Sequence, residues 1–252
     1  MERKGLPAST ILILAVILIS NLLAQSNTVK NSMVAGKILA EEAYIKYDKG
    51  LFEKSRKIFE TIYAKNNSNM LALYYTTYID FRFLEMSFQP GDEYLFDKYY
   101  EPALKNSQLV SEDKKLGVEG KIIQAGIYMM NIAKDMSRAP VIYPKILSLL
   151  EEVQKNKPNN PRVYMILGRL KLNTPEVMGG GPKEALTYFN KSIVLSEKQN
   201  KKDNINWGYL TALLWAGQTY DMLGDRAGVD RIYDKIMSVA PNFSQVKCLR
   251  PQ

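Results

Sequence analysis

The chain has 252 residues, of which 46% are apolar, and a net charge of +8 at pH 7. Enough apolar side chains are present to build a sizeable core, which excludes an intrinsically disordered chain. Histidine is absent and Cys248 is the single cysteine. A histidine-based triad, a histidine-ligated zinc site and a disulfide within the chain are therefore excluded. The basic residues are spread along the sequence without a basic stripe or nucleic-acid-binding module, so we expect no nucleic-acid partner.

The N-terminus has the pattern of a secretory signal peptide over residues 1–26. Two basic residues precede an unbroken apolar run at 11–19, and small residues follow at Ala24 and Ser26, after either of which cleavage fits. The run is shorter than the roughly 20 residues that a membrane-spanning helix needs. We expect export to the periplasm or another extracytoplasmic space, with no membrane span after cleavage. An uncleaved N-terminal anchor is the alternative.

The remaining sequence consists of helical patterns separated by short polar, glycine or proline breaks. Apolar residues recur three and four positions apart, and no sustained alternation typical of strands occurs. In the third pattern, tyrosine and phenylalanine residues lie on two faces, which predicts an inner helix packed on both sides. A proline at position 102 predicts a kink or a split in the fourth pattern. The predicted helices cover residues 33–46, 52–65, 70–86, 93–109, 116–136, 141–153, 162–172, 182–197, 207–223 and 228–239.

These helices form pairs of similar length, which is typical of a helical solenoid in which each unit buries its apolar faces against its neighbours. The predicted fold class is all-α, a right-handed solenoid of about five antiparallel helical hairpins over residues 27–241. A C-terminal tail follows at 242–252. The hairpins cover about 33–67, 69–110, 114–156, 161–200 and 205–241.

The last pair has small, aromatic and proline residues at regular spacing, namely Gly217, Tyr220, Gly224, Tyr233 and Pro241. In this spacing the pair resembles a tetratricopeptide repeat (TPR), and these are its repeat positions. Val229 departs from the pattern, since a small alanine is usual there. Two other pairs follow the pattern in part, the first without the usual Leu-Gly pair and the second with about five extra residues between its helices. Their repeat positions are Gly50, Phe59, Gly168, Ala185 and Phe189.

The TPR resemblance implies a scaffold whose concave face, lined mainly by the first helix of each pair, binds a protein or peptide partner. No motif indicates catalytic chemistry, so we expect a protein that is not an enzyme and that uses no cofactor or metal. The alternative is a solute-binding accessory of an envelope transport system. Exported proteins associated with TRAP transporters are similar in having a signal peptide, degenerate repeats and a glycine-containing insert. A small solute is therefore the alternative kind of partner.

Aromatic residues are dense between positions 74 and 100. Helical spacing favours packing between helices for most of them, and the alternative is a groove for an apolar or peptide ligand. The candidate groove residues are Tyr74, Tyr75, Tyr78, Tyr94 and Tyr99.

The extra residues of the fourth pair contain three consecutive glycines before a helix that begins with proline. Backbone N–H groups there and the charge of Lys183 form a candidate anion site. The alternative is a loop whose glycines serve left-handed backbone angles or close packing. The candidate residues are Gly179, Gly180, Gly181 and Lys183.

Overall fold

The computed structural model describes the backbone of residues 8–199 and 205–250, and the side chains of residues 27–199 and 205–250. In these ranges α-helices follow one another and no strand occurs. The helices are α1 Ala8–Lys46, α2 Lys49–Lys65, α3 Met70–Met86, α4 Tyr94–Ser111, α5 Gly117–Lys134, α6 Ala139–Asn156, α7 Pro161–Leu172, α8 Pro182–Lys198, α9 Tyr209–Met222 and α10 Arg226–Val239. Short 3-10 helices lie at Met136–Arg138, Glu176–Met178 and Ser244–Cys248.

The helices pack in adjacent pairs, α1 with α2 through to α9 with α10, and each pair packs on the next. The predicted all-α class of paired helices is therefore confirmed. The first helices of the pairs form an inner layer, in which α3 contacts α1 and α5, and α7 contacts α5 and α9. Because α3 has neighbours on both sides, it is buried almost throughout its length.

Short polar side chains begin several helices where the sequence has its breaks. The side chains of Asp48, Asn69, Asn160 and Asp225 each accept a hydrogen bond from a backbone N–H in the first turn of the following helix. These contacts satisfy donors that have no partner inside the helix. The turn residues thus set where α2, α3, α7 and α10 start.

The first helix is longer than the sequence pattern predicted, since α1 begins at Ala8 and not near residue 33. It continues without a break past residue 26. The predicted signal peptide, residues 1–26, lies outside the residues whose side chains are described. In the described part of the chain, no helix has the length and apolar character needed to cross a membrane.

The predicted split at Pro102 does not occur, because α4 is one helix from Tyr94 to Ser111 with Pro102 inside it. Pro102 lies on the exposed face of α4. A proline removes one helical hydrogen bond, and at an exposed position water can bond the carbonyl that is left without a donor.

Small residues allow close contact between paired helices. A Cβ atom added at Gly168 on α7 would lie 2.5 Å from the ring of Phe189 on α8, and one at Gly36 on α1 would lie 2.7 Å from the ring of Phe59 on α2. Both phenylalanine rings are completely buried. The first pair therefore has a small residue facing its aromatic ring, although the sequence pattern showed no Leu-Gly pair there.

The other repeat positions occupy turns and contacts between helices. Gly50 lies in the first turn of α2, and Ala185 is fully buried on α8. Gly224 has a φ of +72° in the turn between α9 and α10, a conformation that glycine adopts without strain. Pro241 follows the end of α10 and is exposed.

The segment after α10 packs back on the array. Leu249 is buried next to Gly217 on α9, and the guanidinium of Arg250 lies 4.0 Å from the ring centre of Tyr233 on α10. Phe243 is buried, and its ring centre lies 5.5 Å from that of Tyr44 on α1. The C-terminal segment therefore connects the last pair of helices with the first helix.

Candidate functional site

Most of the tyrosines predicted as groove residues are packing residues. Tyr75 stacks on Phe59 at 4.9 Å and Tyr99 stacks on Phe83 at 4.4 Å between ring centres. Contacts of this kind stabilise the interior between neighbouring helices. Four of the five tyrosines are buried and one, at the start of α4, is exposed. The buried ones are Tyr74, Tyr75, Tyr78 and Tyr99, and the exposed one is Tyr94.

Contacts within the loop that contains Gly179, Gly180 and Gly181 explain why it needs three glycines. Gly179 and Gly181 have φ angles of +76° and +96°, and a Cβ atom at Gly180 would lie 2.1 Å from the carbonyl oxygen of Thr174. The N–H groups of all three glycines donate to backbone carbonyl oxygens of the loop and of the end of α7. Lys183 is exposed in the first turn of α8. Left-handed angles and close approach thus account for the glycines.

A cavity of about 870 Å³ lies on the inner face of the array. Residues of α1, α3, α5, α7 and α9, the first helices of the five pairs, line it together with the start of α6 and Gln245 of the C-terminal segment. It therefore lies on the face formed by the first helices of the pairs, where the TPR resemblance predicts binding. The lining residues with the most exposed side chains include Phe88, Met136 and Met178, which mark its mouth.

Apolar side chains form most of the cavity wall. Five of the eleven methionines of the chain line it, beside aromatic residues such as Tyr143 and Trp215. Methionine is unbranched and polarizable, so a wall rich in it adapts to ligands of different shapes. The lining methionines are Met86, Met129, Met130, Met136 and Met178.

The described lining residues include three charged ones, Arg82 and Glu85 on α3 and Arg169 on α7. Glu85 Oε2 accepts from Arg82 Nη1 and Glu85 Oε1 accepts from Arg169 Nη1, each at 2.5 Å. Arg82 Nη2 donates to Thr211 Oγ1 at 3.2 Å, and the Tyr44 hydroxyl lies 2.8 Å from the same oxygen. One network therefore connects α1, α3, α7 and α9.

Aromatic rings surround the guanidinium of Arg82. Its Cζ lies 4.5 Å from the ring centre of Tyr44, 4.9 Å from that of Tyr78 and 5.3 Å from that of Trp207. Cation–π contacts of this kind stabilise a positive charge that is removed from water. Arg82 is only 3% exposed, and its Nε has no hydrogen-bond acceptor among the described residues. Arg82 is thus fixed in a buried aromatic site.

The two arginines favour the ionised form of Glu85, and burial favours the neutral form of Tyr44. Burial alone would raise the pKa of Glu85, but the guanidinium groups of Arg82 and Arg169 lower it below its ordinary value. Burial raises the pKa of Tyr44 to about 12. With both arginines charged, two positive charges face one carboxylate, and the net charge of the cluster is +1.

A second buried arginine on α7 forms a balanced pair. Arg162 donates from Nε and Nη2 to the two carboxylate oxygens of Glu119, both at 2.7 Å, and from Nη1 to the carbonyl of Ile205. The neighbouring inner-face residues pack tightly, with Trp207 Nε1 donating to the Tyr74 hydroxyl at 2.5 Å. Arg162, Glu119 and Tyr74 are buried here, and none of the three lines the cavity.

The three charged residues of the cavity were missed by the sequence patterns. Arg82 and Glu85 lie inside an apolar helical pattern that is dominated by aromatic residues. A charged side chain within a helix that is apolar on two faces needs a buried partner. This requirement is the sequence signal that indicates a buried charge cluster at Arg82 and Glu85. No pattern indicated that Arg169 of another helix pair would be that partner.

Comparison with known proteins supports the fold. No family model matches the sequence, and no curated protein matches it. The structure of TTC0263, a thermophilic TPR protein of Thermus thermophilus, is similar with a TM-score of 0.61 and 16% identity, over 87% of this chain and 95% of that one. The HusA haemophore of Porphyromonas gingivalis is similar with a TM-score of 0.60 and 19% identity, over 75% of this chain and 92% of that one. The chain therefore has a TPR-like helical-repeat fold.

Proposed function

We propose that this chain is a non-catalytic binding protein that holds an apolar organic molecule in the cavity of its inner face. The cavity itself supports the proposal most directly. Its volume of about 870 Å³ falls in the range of about 300–1,000 Å³ that is typical of sites for organic ligands. Its wall combines many apolar side chains with a few polar groups, which is the usual composition of such sites.

Packing elsewhere in the protein makes the cavity exceptional. Interiors are normally filled to the density of organic crystals, with few voids larger than a water molecule. Around the Phe59 and Phe189 rings this chain reaches such density, since even a methyl group would not fit on the facing glycines. An apolar concavity of this size, open to the inner face between such tightly packed helices, therefore favours a ligand site.

The similarity to HusA gives the first compounds to test. HusA is a haemophore, and its likeness to this chain concerns the fold. Haem and metal-free protoporphyrin IX have a flat, largely apolar ring, which suits a wall of methionine and aromatic side chains, and carboxylate groups at one edge. We therefore place them first in a ligand panel that also contains fatty acids and apolar peptides.

A protein or peptide partner is the second candidate function, and the mouth of the cavity supports it. Phe88, Met136 and Met178 are 45%, 66% and 67% exposed around the opening. Exposed apolar residues next to a cavity suit a partner that inserts its own apolar side chains. A peptide bound in this way would compete with a small ligand for the same space.

The predicted signal peptide would place the cavity outside the cytoplasm. A protein there that holds an apolar molecule would serve as a carrier, as an envelope transport accessory does. Cell fractionation with a C-terminal tag tests this part of the proposal. Recovery in the extracytoplasmic fraction supports it, and recovery in the cytoplasm contradicts it.

A mouth-blocking variant tests the site. Ala133 is exposed and lines the cavity, so Ala133→Trp fills the opening without overpacking the core. Ala227→Trp, at an exposed position of α10 outside the cavity, is the control. The measurements are thermal unfolding with each ligand of the panel and quenching of the fluorescence of Trp215, which lines the cavity.

A ligand present at about 100 times its Kd adds about 2.7 kcal/mol of stability. For a chain of this size, that raises the melting temperature by several degrees. We expect this shift in the wild type and in Ala227→Trp, and its loss in Ala133→Trp. Equal shifts in both variants would exclude the cavity as the site, and no shift with any apolar compound would contradict the proposed function.

A further inference from the structure

The charge of the cavity wall is unbalanced. Arg82 and Arg169 share the single carboxylate of Glu85, and no other described residue that lines the cavity is charged. The side chains of both arginines are less than a tenth exposed. A buried charge without a counter-charge is unfavourable unless an anion or water compensates it. The site therefore lacks one negative charge.

The two arginines differ in what they can still bind. Arg82 is enclosed by aromatic rings and donates to Glu85 and Thr211. Arg169 lines the cavity with its Cζ 5.1 Å from the ring centre of Trp215. Its Nη1 donates to Glu85, and its Nε and Nη2 have no acceptor among the described residues. Arg169 is thus the arginine with hydrogen-bond donors left for a ligand.

Resting on the proposed function, we propose that the ligand of the cavity carries a carboxylate, which Arg169 binds with the donors that Glu85 leaves free. A guanidinium presents paired N–H donors that fit the two oxygens of a carboxylate. Binding one such group brings the net charge of the cluster from +1 to zero. The apolar wall then buries the rest of the molecule, so the ligand class is an amphipathic organic acid.

The charge count favours a carboxylate over a phosphate. A phosphate monoester carries about −1.5 to −2 charges at pH 7, whereas the cluster offers one uncompensated positive charge. Glu85 would also repel a doubly charged head group within the same cluster. A monoanionic head on an apolar body is therefore the better complement of this wall.

Two kinds of molecule share this chemistry, a rigid tetrapyrrole acid and a flexible fatty acid. Each exists as a neutral ester of nearly the same size, so the contribution of the carboxylate can be measured by itself. The probes are oleate with methyl oleate, and protoporphyrin IX, whose two carboxylates lie on separate side chains so that each is a singly charged head group, with its dimethyl ester. Dissociation constants are measured at pH 8, where the free acids are ionised. The pair that binds more tightly identifies the shape that the cavity accepts.

The variants separate the charge of Arg169 from its hydrogen bonds. Arg169→Gln removes the charge, and Arg169→Lys restores it without the paired donors. Arg226→Gln removes an exposed positive charge of α10 outside the cavity and is the control for net charge. Chemical denaturation of each variant shows whether it is folded.

In the wild type and in Arg226→Gln, we expect the acid to bind about tenfold more tightly than its ester. In Arg169→Gln the ratio should fall to about one with unchanged affinity for the ester, and Arg169→Lys should recover part of it. If acid and ester bind equally to the wild type, the carboxylate proposal is wrong while the binding function stands. A folded Arg169→Gln that keeps the preference also overturns it. If neither form binds, the proposed function fails.

Discussion

Two arginines of α7, seven residues apart, lie in very different surroundings. Arg162 forms a bidentate pair with Glu119 that has no excess charge, and it is 4% exposed and not among the residues that line the cavity. Arg169 shares Glu85 with Arg82 at the wall of a large cavity. Residues seven apart on a helix point in nearly the same direction, so position on the helix does not explain the contrast. The two sites differ instead in the net charge of each cluster and in whether the arginine lines the cavity.

The contrast separates a structural use of buried arginine from a binding use. The Arg162–Glu119 pair connects α5 with α7 and has no uncompensated charge with which to bind a ligand. The Arg82–Glu85–Arg169 cluster beside the cavity connects α3 with α7 and carries a net charge of +1. Changes in the first cluster should therefore affect mainly stability, and changes in the second should affect both stability and ligand affinity.

The largest expected effect is that of Glu119→Gln. This change leaves Arg162 charged and buried without a counter-charge, and breaking a buried pair in this way costs about 3–5 kcal/mol. Urea denaturation of the ligand-free protein measures the loss. A loss below about 1 kcal/mol, typical of an exposed pair, would contradict the assignment of this cluster as structural.

A smaller loss is expected for Glu85→Gln, about 1–2 kcal/mol, below the range for a fully buried pair. The side chain of Glu85 is 19% exposed, so water in the cavity compensates part of the lost charge. The same change raises the net charge of the cluster from +1 to +2. We expect protoporphyrin IX to bind more tightly to Glu85→Gln than to the wild type. Weaker binding would show that Glu85 holds the arginines in a geometry that binding requires.

The stability difference between wild type and Glu85→Gln should depend on pH. The pKa of Glu85 is lowered in the folded state, so its ionised form stabilises the fold above the unfolded pKa, about 4.3. This contribution decreases as the pH falls through the lower folded pKa. Denaturation of both proteins between pH 7 and pH 3 should show the difference shrinking in the acid part of the range. A difference that grows with acidity would contradict the pKa direction.

The smallest effect on stability is expected at the mouth of the cavity. Met178→Ser removes an apolar lining residue that is 67% exposed, so stability should change by no more than about 0.5 kcal/mol. Affinity for the apolar probe should fall severalfold, because burying a methionine side chain contributes about 1.5–3 kcal/mol when it is complete. The neighbouring Val177 is 96% exposed outside the cavity, and Val177→Ser is the control. Equal loss of affinity in both variants would remove Met178 from the site.

The helical pairs were predictable because their signals are local. Turn residues such as Asp48 and Asn160 cap the helix that follows them, and the two-faced pattern of α3 correctly indicated an inner helix. The Gly168–Phe189 contact also follows from the repeat spacing. Each of these features depends on residues close in sequence or within one helical pair.

The cavity was not predictable because it depends on how the pairs are arranged in space. Tyr44 and Thr211 are 167 positions apart and meet only because the last pair returns to the first helix. The partnership of Arg82 with Arg169 through Glu85 likewise joins two distant pairs. Sequence spacing sets the faces of helices, whereas the curvature of the array sets which faces leave space between them.

A crystal structure of the chain with the acid probe that binds most tightly tests the central claim most directly. We expect the apolar body of the ligand between Met129 and Trp215, and its carboxylate within about 3 Å of the Arg169 guanidinium. The Arg162–Glu119 pair should remain unchanged. A ligand bound elsewhere, or a cavity closed by the protein's own side chains while the ligand is bound, would contradict the assignment of this cavity as the binding site.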